Sequence, residues 1–333
     1  MADAARLHAE ALVWDQTFPA TPTCGSWAAH LAALERMKAS GYTAVSITVA
    51  SDPDDTLSAL RRLSQWRRFV QQNQDRYLLL MRAEDAEAAK ASGRLAIGFH
   101  FQGTTPFDRD IGLVEVFYRL GVRHALMAYN QKNHVGDGCH ERTDGGLSRF
   151  GQELVREMQR VGMLVDCTHT GRRTSLDVLE MAGAPVIYSH SNAAALKAHQ
   201  RNVEDELAKA CAATGGVIGV NGIGIFLGDN DDSTEALFRH LDHWVQLVGA
   251  AHVGIGLDSV SEPAVLADFV HASAAKYPAG QNYEVAEIKV SRPEQVPELT
   301  QRMLRAGYAE HDIRAVLGGN WLRLARQVWK EIA

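Results

Sequence analysis

The chain has 333 residues, 46% hydrophobic and 22% charged, with a net charge of −6. These values describe a globular protein with a large core. They exclude the basic footprint of a nucleic-acid binder, and no apolar run approaches the roughly 20 residues that a membrane helix needs.

The N-terminal MADAARLHAEALVWD has no basic start followed by an apolar core, so no secretory signal is expected. The first strand-length apolar run is 11–14. A helix over Trp27–Ala39 follows, with Leu31, Leu34 and Met37 at helical spacing and Gly41 beyond its end. Further strand runs are 44–49, 95–101 and 124–128. A helix over 151–160 places Leu154, Val155 and Met158 on one face before Gly162. Then come a strand at 164–167, a helix over 174–181 ended by Gly183 and Pro185, and strands at 186–188, 217–220 and 253–257. Residues 262–298 read as an irregular excursion, and the tail reads as helical with a break at Gly318-Gly319.

Near-continuous apolar runs suit strands buried on both faces of a parallel sheet. Eight of them with intervening helices match a (β/α)8 TIM barrel, expected as one domain over residues 1–333 with a C-terminal helical segment. An open doubly wound sheet alternates similarly, but no GxGxxG follows the first strand. Cys24, Cys139, Cys167 and Cys211 lack CxxC spacing. They suggest neither a disulfide framework nor a structural zinc knot, and a cytoplasmic protein with free thiols is expected.

Candidate chemistry concentrates after the strands. His169 and His190 end consecutive βα units, which is how a parallel barrel builds a metal or catalytic site. A lone strand-end histidine is more often a local hydrogen-bonding cap; two at equivalent places favour a shared ion. Asp258, in VGIGLDSV, faces the same rim as a metal ligand or general base, with a helix N-cap as its bland alternative. Arg201-Asn202 could clamp a substrate carboxylate through the arginine fork, although a solvated surface arginine is the commoner case. Tyr129, after the fourth run, could donate to a developing oxyanion or simply pack. His100 and Gln102 share one face of their strand. His134 and His140 fall in a loop read as a mobile flap.

The blocks DCTHTGRRTSLDVLE, PVIYSHSNA, HQRNVED, GGVIGV, VGIGLDSV and LGGNWLRL resemble, in order, those of the membrane (renal) dipeptidase family of the amidohydrolase superfamily. The segments FYRLGVRHALMAYNQKN and DGGLSRFGQELVREMQRVGMLVD do too, so the resemblance covers most of residues 93–330. It implies a (β/α)8 barrel, a two-zinc dipeptidase site and a homodimer. By the same resemblance His169 and His190 are the ligands of one zinc, Arg201 and Asn202 contact the dipeptide, and Asp258 handles the proton. Tyr129 stands where many members have a substrate-binding histidine.

Two departures stand out. The family's first strand ends in a His-x-Asp pair, and here the region reads ALVWDQTFP. Asp15 aligns with an aspartate before the pair, which leaves Thr17 and Pro19 at the ligand positions. Gln102 occupies the place of the bridging glutamate, and a neutral amide is a poor bridge between two dications. The expectation is a dipeptidase-like hydrolase with one zinc rather than two, acting on a small carboxylate-bearing amide. The alternative is a small-molecule-binding barrel or non-peptidase hydrolase that has left dipeptide chemistry.

Overall fold

The computed structural model describes residues 2–331. Nine strands form one sheet: β1 Trp14–Phe18, β2 Ala44–Ser51, β3 Tyr77–Leu79, β4 Leu95–Gln102, β5 Val122–Leu126, β6 Leu164–Asp166, β7 Val186–Ile187, β8 Ile218–Val220 and β9 Val253–Ile255. Every strand pair is parallel, in the order β7-β6-β5-β4-β2-β1-β9-β8, with β3 alongside the start of β4. The ring closes where Tyr188 bridges Ile218, with Tyr188 N–H donating to the Val217 carbonyl at 3.1 Å. These eight strands, without β3, are the staves of a TIM barrel.

β7, β8 and β9 crowd one another at that closure. A Cβ on Gly219 or Gly256 would collide with the carbonyl oxygen of Ser189, so only glycine lets the three backbones meet. Outside the barrel, helices Trp27–Ala39, Arg149–Val161 and Thr234–Val248 start at Ser26, Ser148 and Ser233. Each serine accepts a hydrogen bond from the N–H three residues on. Their buried faces pack against the barrel in the main core. A second cluster, with Trp14 and Trp321, plugs the N-terminal end, where Trp321 Nε1 donates to the Ile255 carbonyl at 3.1 Å. Only the C-terminal ends of the strands are left to form a mouth.

Several sequence expectations need correcting. The first strand is Trp14–Phe18, not 11–14, and the helix Ala2–Glu10 precedes it. Asp15, Gln16 and Thr17 disguise the strand, because their polar side chains are buried in the barrel instead of facing water. β5 begins two residues earlier than expected, and β3 was not anticipated. The excursion contains the helix Pro263–Ala272 and runs into the helix Gln295–Arg305. The tail breaks as expected, through a π turn at Ala315–Gly319. No helix among the described residues is long and apolar enough to cross a membrane.

Candidate active site

Tyr129, His169, His190 and Asp258 each stand three residues beyond their strand ends, Leu126, Asp166, Ile187 and Ile255. Thr17 and Gln102 reach the same mouth from β1 and β4. Asn130, His169 and Asp258 hold left-handed backbone, with φ of 61°, 63° and 57°. Such residues cost of order 1–3 kcal/mol each and cluster where geometry serves function.

The rings of His169 and His190 lie 5.2 Å apart, centre to centre, at 63°. Imidazole nitrogens about 2.0–2.1 Å from a tetrahedral zinc would put ring centres about 5 Å apart. Both Nε2 atoms are buried without a hydrogen-bond partner. His169 Nδ1 lies 2.6 Å from Asn130 Oδ1, and Asn130 Nδ2 donates to the Lys276 carbonyl at 3.2 Å. That second bond fixes the amide, so His169 carries its proton on Nδ1 and a lone pair on Nε2. His190 Nδ1 meets the hydroxyls of Thr17 at 3.1 Å and Ser189 at 2.8 Å. Burial, reinforced by the Arg201 charge, holds both histidines well below the usual imidazole range. Neutral rings with a buried free nitrogen are what a cation requires.

The pair therefore fits one ion. Among the described residues, no three His, Cys, Asp or Glu side chains converge to hold a metal. Of the residues expected to stand at ligand positions, Thr17 turns its hydroxyl to His190, Pro19 lines the mouth cavity, and Gln102 presents a neutral amide. Asp15 is a buckle: its Oδ1 accepts from the N–H groups of Thr17 and Leu257, both at 3.1 Å, tying β1 to the end of β9. Burial, with the charge of Asp258 adding, pushes its carboxyl up to about 7.

Asp258 sits across the mouth, its Oδ2 accepting from Asn221 Nδ2 at 3.2 Å. Burial pushes it up to about 6, against the opposing pull of Arg201. A carboxyl so tuned can exchange a proton near neutrality. Arg201 is 3% exposed. Its Nη2 donates to the His190 carbonyl at 3.2 Å, its guanidinium lies over Phe226, and its buried Nε has no partner. No described carboxylate pairs with it. Asn202 supports this loop, donating from Nδ2 to the Lys197 and Phe226 carbonyls at 2.9 Å each. The preceding segment, AALKAH, is a series of turns.

Tyr129 stacks on His169 at 4.1 Å, and its hydroxyl meets that of Tyr277 at 3.1 Å. The segment carrying His134 and His140, expected as a mobile flap, is pinned. Asn133 Nδ2 reaches Asp52, Thr104 and the Met127 carbonyl, and Asp137 accepts from Thr143 and Gly145. His140 bridges Gln200 at 2.7 Å and Tyr283 at 2.9 Å.

Sequence reasoning missed a polar chain inside the barrel. Asp166 Oδ2 lies 3.1 Å from His124 Nδ1, His124 Nε2 is 3.3 Å from Ser46 Oγ, and Ser46 Oγ is 3.0 Å from His100 Nδ1. His100 Nε2 then meets Thr48 Oγ1 at 2.9 Å, and Thr48 accepts from Gln102 Nε2 at 3.0 Å. With both histidines neutral, one proton assignment satisfies all five contacts: each group donates in turn from Gln102 through to the carboxylate, the hydroxyls relaying. The chain commits the Gln102 N–H and leaves its Oε1 as a free acceptor at the mouth. Burial raises the Asp166 carboxyl, but its surroundings, the hydrogen bond from His124 first among them, outweigh this, and the group ends below the usual range. A histidine within VRHAL and an aspartate within LVD, both inside apolar strands, were the available signals.

Two cavities flank His169. The mouth cavity, about 210 Å³, has Thr48, Gln102 and Asp258 on its floor. The other, about 270 Å³, runs between the loops after β6 and β7 and is lined by Arg201, Asn202 and Ser191.

A closed parallel barrel with convergent histidines at its C-terminal mouth defines a barrel of the metal-dependent hydrolase type. The chain belongs to the membrane dipeptidase family, peptidase family M19, whose family model it matches over residues 2–279. It is similar to an amidohydrolase structure from Pseudomonas aeruginosa, with 33% identity and a TM-score of 0.88 over 98% of this chain and 99% of that one. A metallopeptidase of Rhodobacter sphaeroides, liganded with a phosphinate mimic of the dipeptide L-Ala-D-Ala, shares the fold at 20% identity and a TM-score of 0.80, over 96% and 99% of the two chains. An uncharacterized dipeptidase of Schizosaccharomyces pombe is 35% identical over 53% of this chain, and the match spans 44% of that relative's length.

Proposed function

We propose that the protein hydrolyses the amide bond of a dipeptide or similar small carboxylate-bearing amide, using one zinc ion held by His169 and His190. The reading rests on one observation: two neutral, buried imidazoles with unpartnered Nε2 atoms lie 5.2 Å apart beside an arginine with no carboxylate partner. A bound zinc would supply Lewis-acid polarisation and a nucleophilic water.

The protein's own groups supply the rest. Arg201 receives the substrate carboxylate through the N–H groups that its bond to the His190 carbonyl leaves free, and Asn202, whose Nδ2 already serves the Lys197 and Phe226 carbonyls, offers its unpartnered Oδ1 to a substrate N–H. Asp258 takes a proton from water and returns it to the leaving amine, which a carboxyl tuned to about 6 can do in both directions. Tyr129 holds the face of His169, Asn130 fixes its tautomer, and Gln102 Oε1 offers an acceptor where the family resemblance puts a carboxylate.

A second reading, a barrel that binds such molecules without cleaving them, is favoured by Thr17, Pro19 and Gln102 standing together at ligand positions. One experiment separates the two. Purified protein is loaded with zinc, its metal content measured, and hydrolysis of L- and D-configured dipeptides followed beside T17H/P19D/Q102E. Turnover by the unaltered protein with about one equivalent of zinc supports the hydrolase; activity gained only by the triple variant supports the binder.

A further inference from the structure

The walls of the mouth cavity and its floor differ in kind. Ile223, Ile225 and Phe226, from the loop after β8, join Val270, Tyr277 and Tyr283, from the excursion after β9, in a hydrophobic cluster separate from the barrel core. This cluster forms one side of the cavity, and Leu266 and Phe269 extend it. The polar floor of Thr48, Gln102, His169 and Asp258 lies beneath.

Charge on the walls is cationic or already matched. Asp54 lines the cavity, but Arg62 grips both of its oxygens, at 2.7 and 2.8 Å, and Ser51 N–H donates to it at 2.9 Å. Lys276 lines the cavity with its ammonium in no ion pair with a described residue. The remaining lining carboxylate is Asp258, which the proposed reaction uses for proton transfer. An ordinary dipeptide carries an α-ammonium two bonds from the scissile carbonyl, and here that charge would meet apolar walls, Lys276 and the Asp54–Arg62 pair. A buried cation without a carboxylate or several acceptors is strongly disfavoured.

We infer that the acyl half of the substrate is an uncharged apolar group with no α-ammonium, so that the substrate class is an N-acyl amino acid. This rests on the hydrolase reading above and on the same Arg201, which receives the carboxylate of the amino-acid half. The step balances without a redox partner. Water oxygen bonds to the amide carbon, the C–N bond breaks, the nitrogen leaves with a proton, and the products are a carboxylic acid and an amino acid. A cavity of about 210 Å³ equals about seven water volumes at ~30 Å³ each, enough for an acyl chain of medium length.

The test uses zinc-loaded full-length protein, with N-acetyl-, N-butanoyl- and N-hexanoyl-alanine and leucyl-alanine in both alanine configurations. The expected kcat/KM rises about fourfold per buried methylene, and leucyl-alanine falls at least tenfold below N-hexanoyl-alanine. Calorimetry of N-hexanoyl-alanine and leucyl-alanine binding to metal-free protein gives a second reading, in which the acyl compound binds more tightly. L266D, which adds a carboxylate to the wall away from the floor, narrows or reverses the preference, with its thermal melt checked against the parent. Equal or faster cleavage of leucyl-alanine, with equal binding, overturns the proposal and leaves the hydrolase reading intact. If no amide is cleaved while N-hexanoyl-alanine still binds preferentially, the acyl preference stands and the hydrolase reading falls.

Discussion

The Thr17 hydroxyl lies 3.1 Å from Nδ1 of His190, so Thr17 braces the ring that the proposed site uses as a ligand. Groups behind a metal-bound histidine typically govern 10–100-fold in metal affinity. Because Ser189 shares this nitrogen at 2.8 Å, T17V is expected to weaken zinc binding by about 10-fold, near the low end of that range. Competition with a chelator dye measures it; unchanged affinity would show that Ser189 suffices alone.

The ring nitrogens of His169 have one hydrogen-bond partner among the described residues, Asn130 at 2.6 Å. N130L removes the acceptor that fixes its tautomer, and zinc affinity should fall by about 100-fold, more than in T17V. Metal analysis after dialysis should give about one zinc per chain for the parent and little for H169A or H190A. Two equivalents in the parent would reject the single-ion site.

The buried His124–Asp166 pair anchors the internal chain and also orders the His190 strand, because Asp166 Oδ1 accepts from the N–H groups of Thr168 at 2.9 Å and Ser189 at 3.1 Å. Removing Asp166 would leave the His124 Nδ1–H and the Thr168 and Ser189 N–H groups buried without an acceptor, roughly 3 kcal/mol or more in all at about 1–3 kcal/mol each. D166A should lose that much stability in urea unfolding. H100F should cost less, because Asp166 and its three donors stay in place, while lowering kcat through the misplaced amide of Gln102.

Asp258 must be ionised to accept a proton. With its carboxyl at about 6, kcat/KM should be level above that pH and fall about tenfold per unit below it. D258N should abolish turnover at every pH, whereas D258E should retain the acidic limb at a lower rate. A profile without this limb in the parent would remove Asp258 from proton transfer.

Arg201 donates through a fork that lysine lacks. R201K is expected to raise KM at least tenfold, because a bidentate hold on the carboxylate is lost, with a smaller change in kcat. An equal loss for a substrate amide lacking the carboxylate would show that Arg201 supports the loop rather than the substrate.

Much of this was legible in one dimension. The positions of His169, His190 and Asp258 follow from strand-length apolar runs, since a parallel barrel brings the residues after each strand to one mouth. That Thr17, Pro19 and Gln102 carry no charge is plain from residue type. Other features left no local trace. β1 was misplaced because WDQTF reads as polar, and only the barrel interior makes Asp15 and Thr17 buried members of a strand. The pinned loop around His140 could not be read from composition, because its partners, Gln200 and Tyr283, are distant in the chain.

The sequence by itself determined a TIM barrel of the membrane dipeptidase family, with two histidines, an arginine and an aspartate after its strands. Tertiary structure decided how those groups are tuned. The tautomer of His169, the orientation of Gln102 through the chain ending at Asp166, the unpaired state of Arg201 and the apolar wall over the mouth all depend on contacts between residues far apart in the chain. Hydrogen-bond direction and the burial of charge are properties of such contacts, and residue order alone does not encode them.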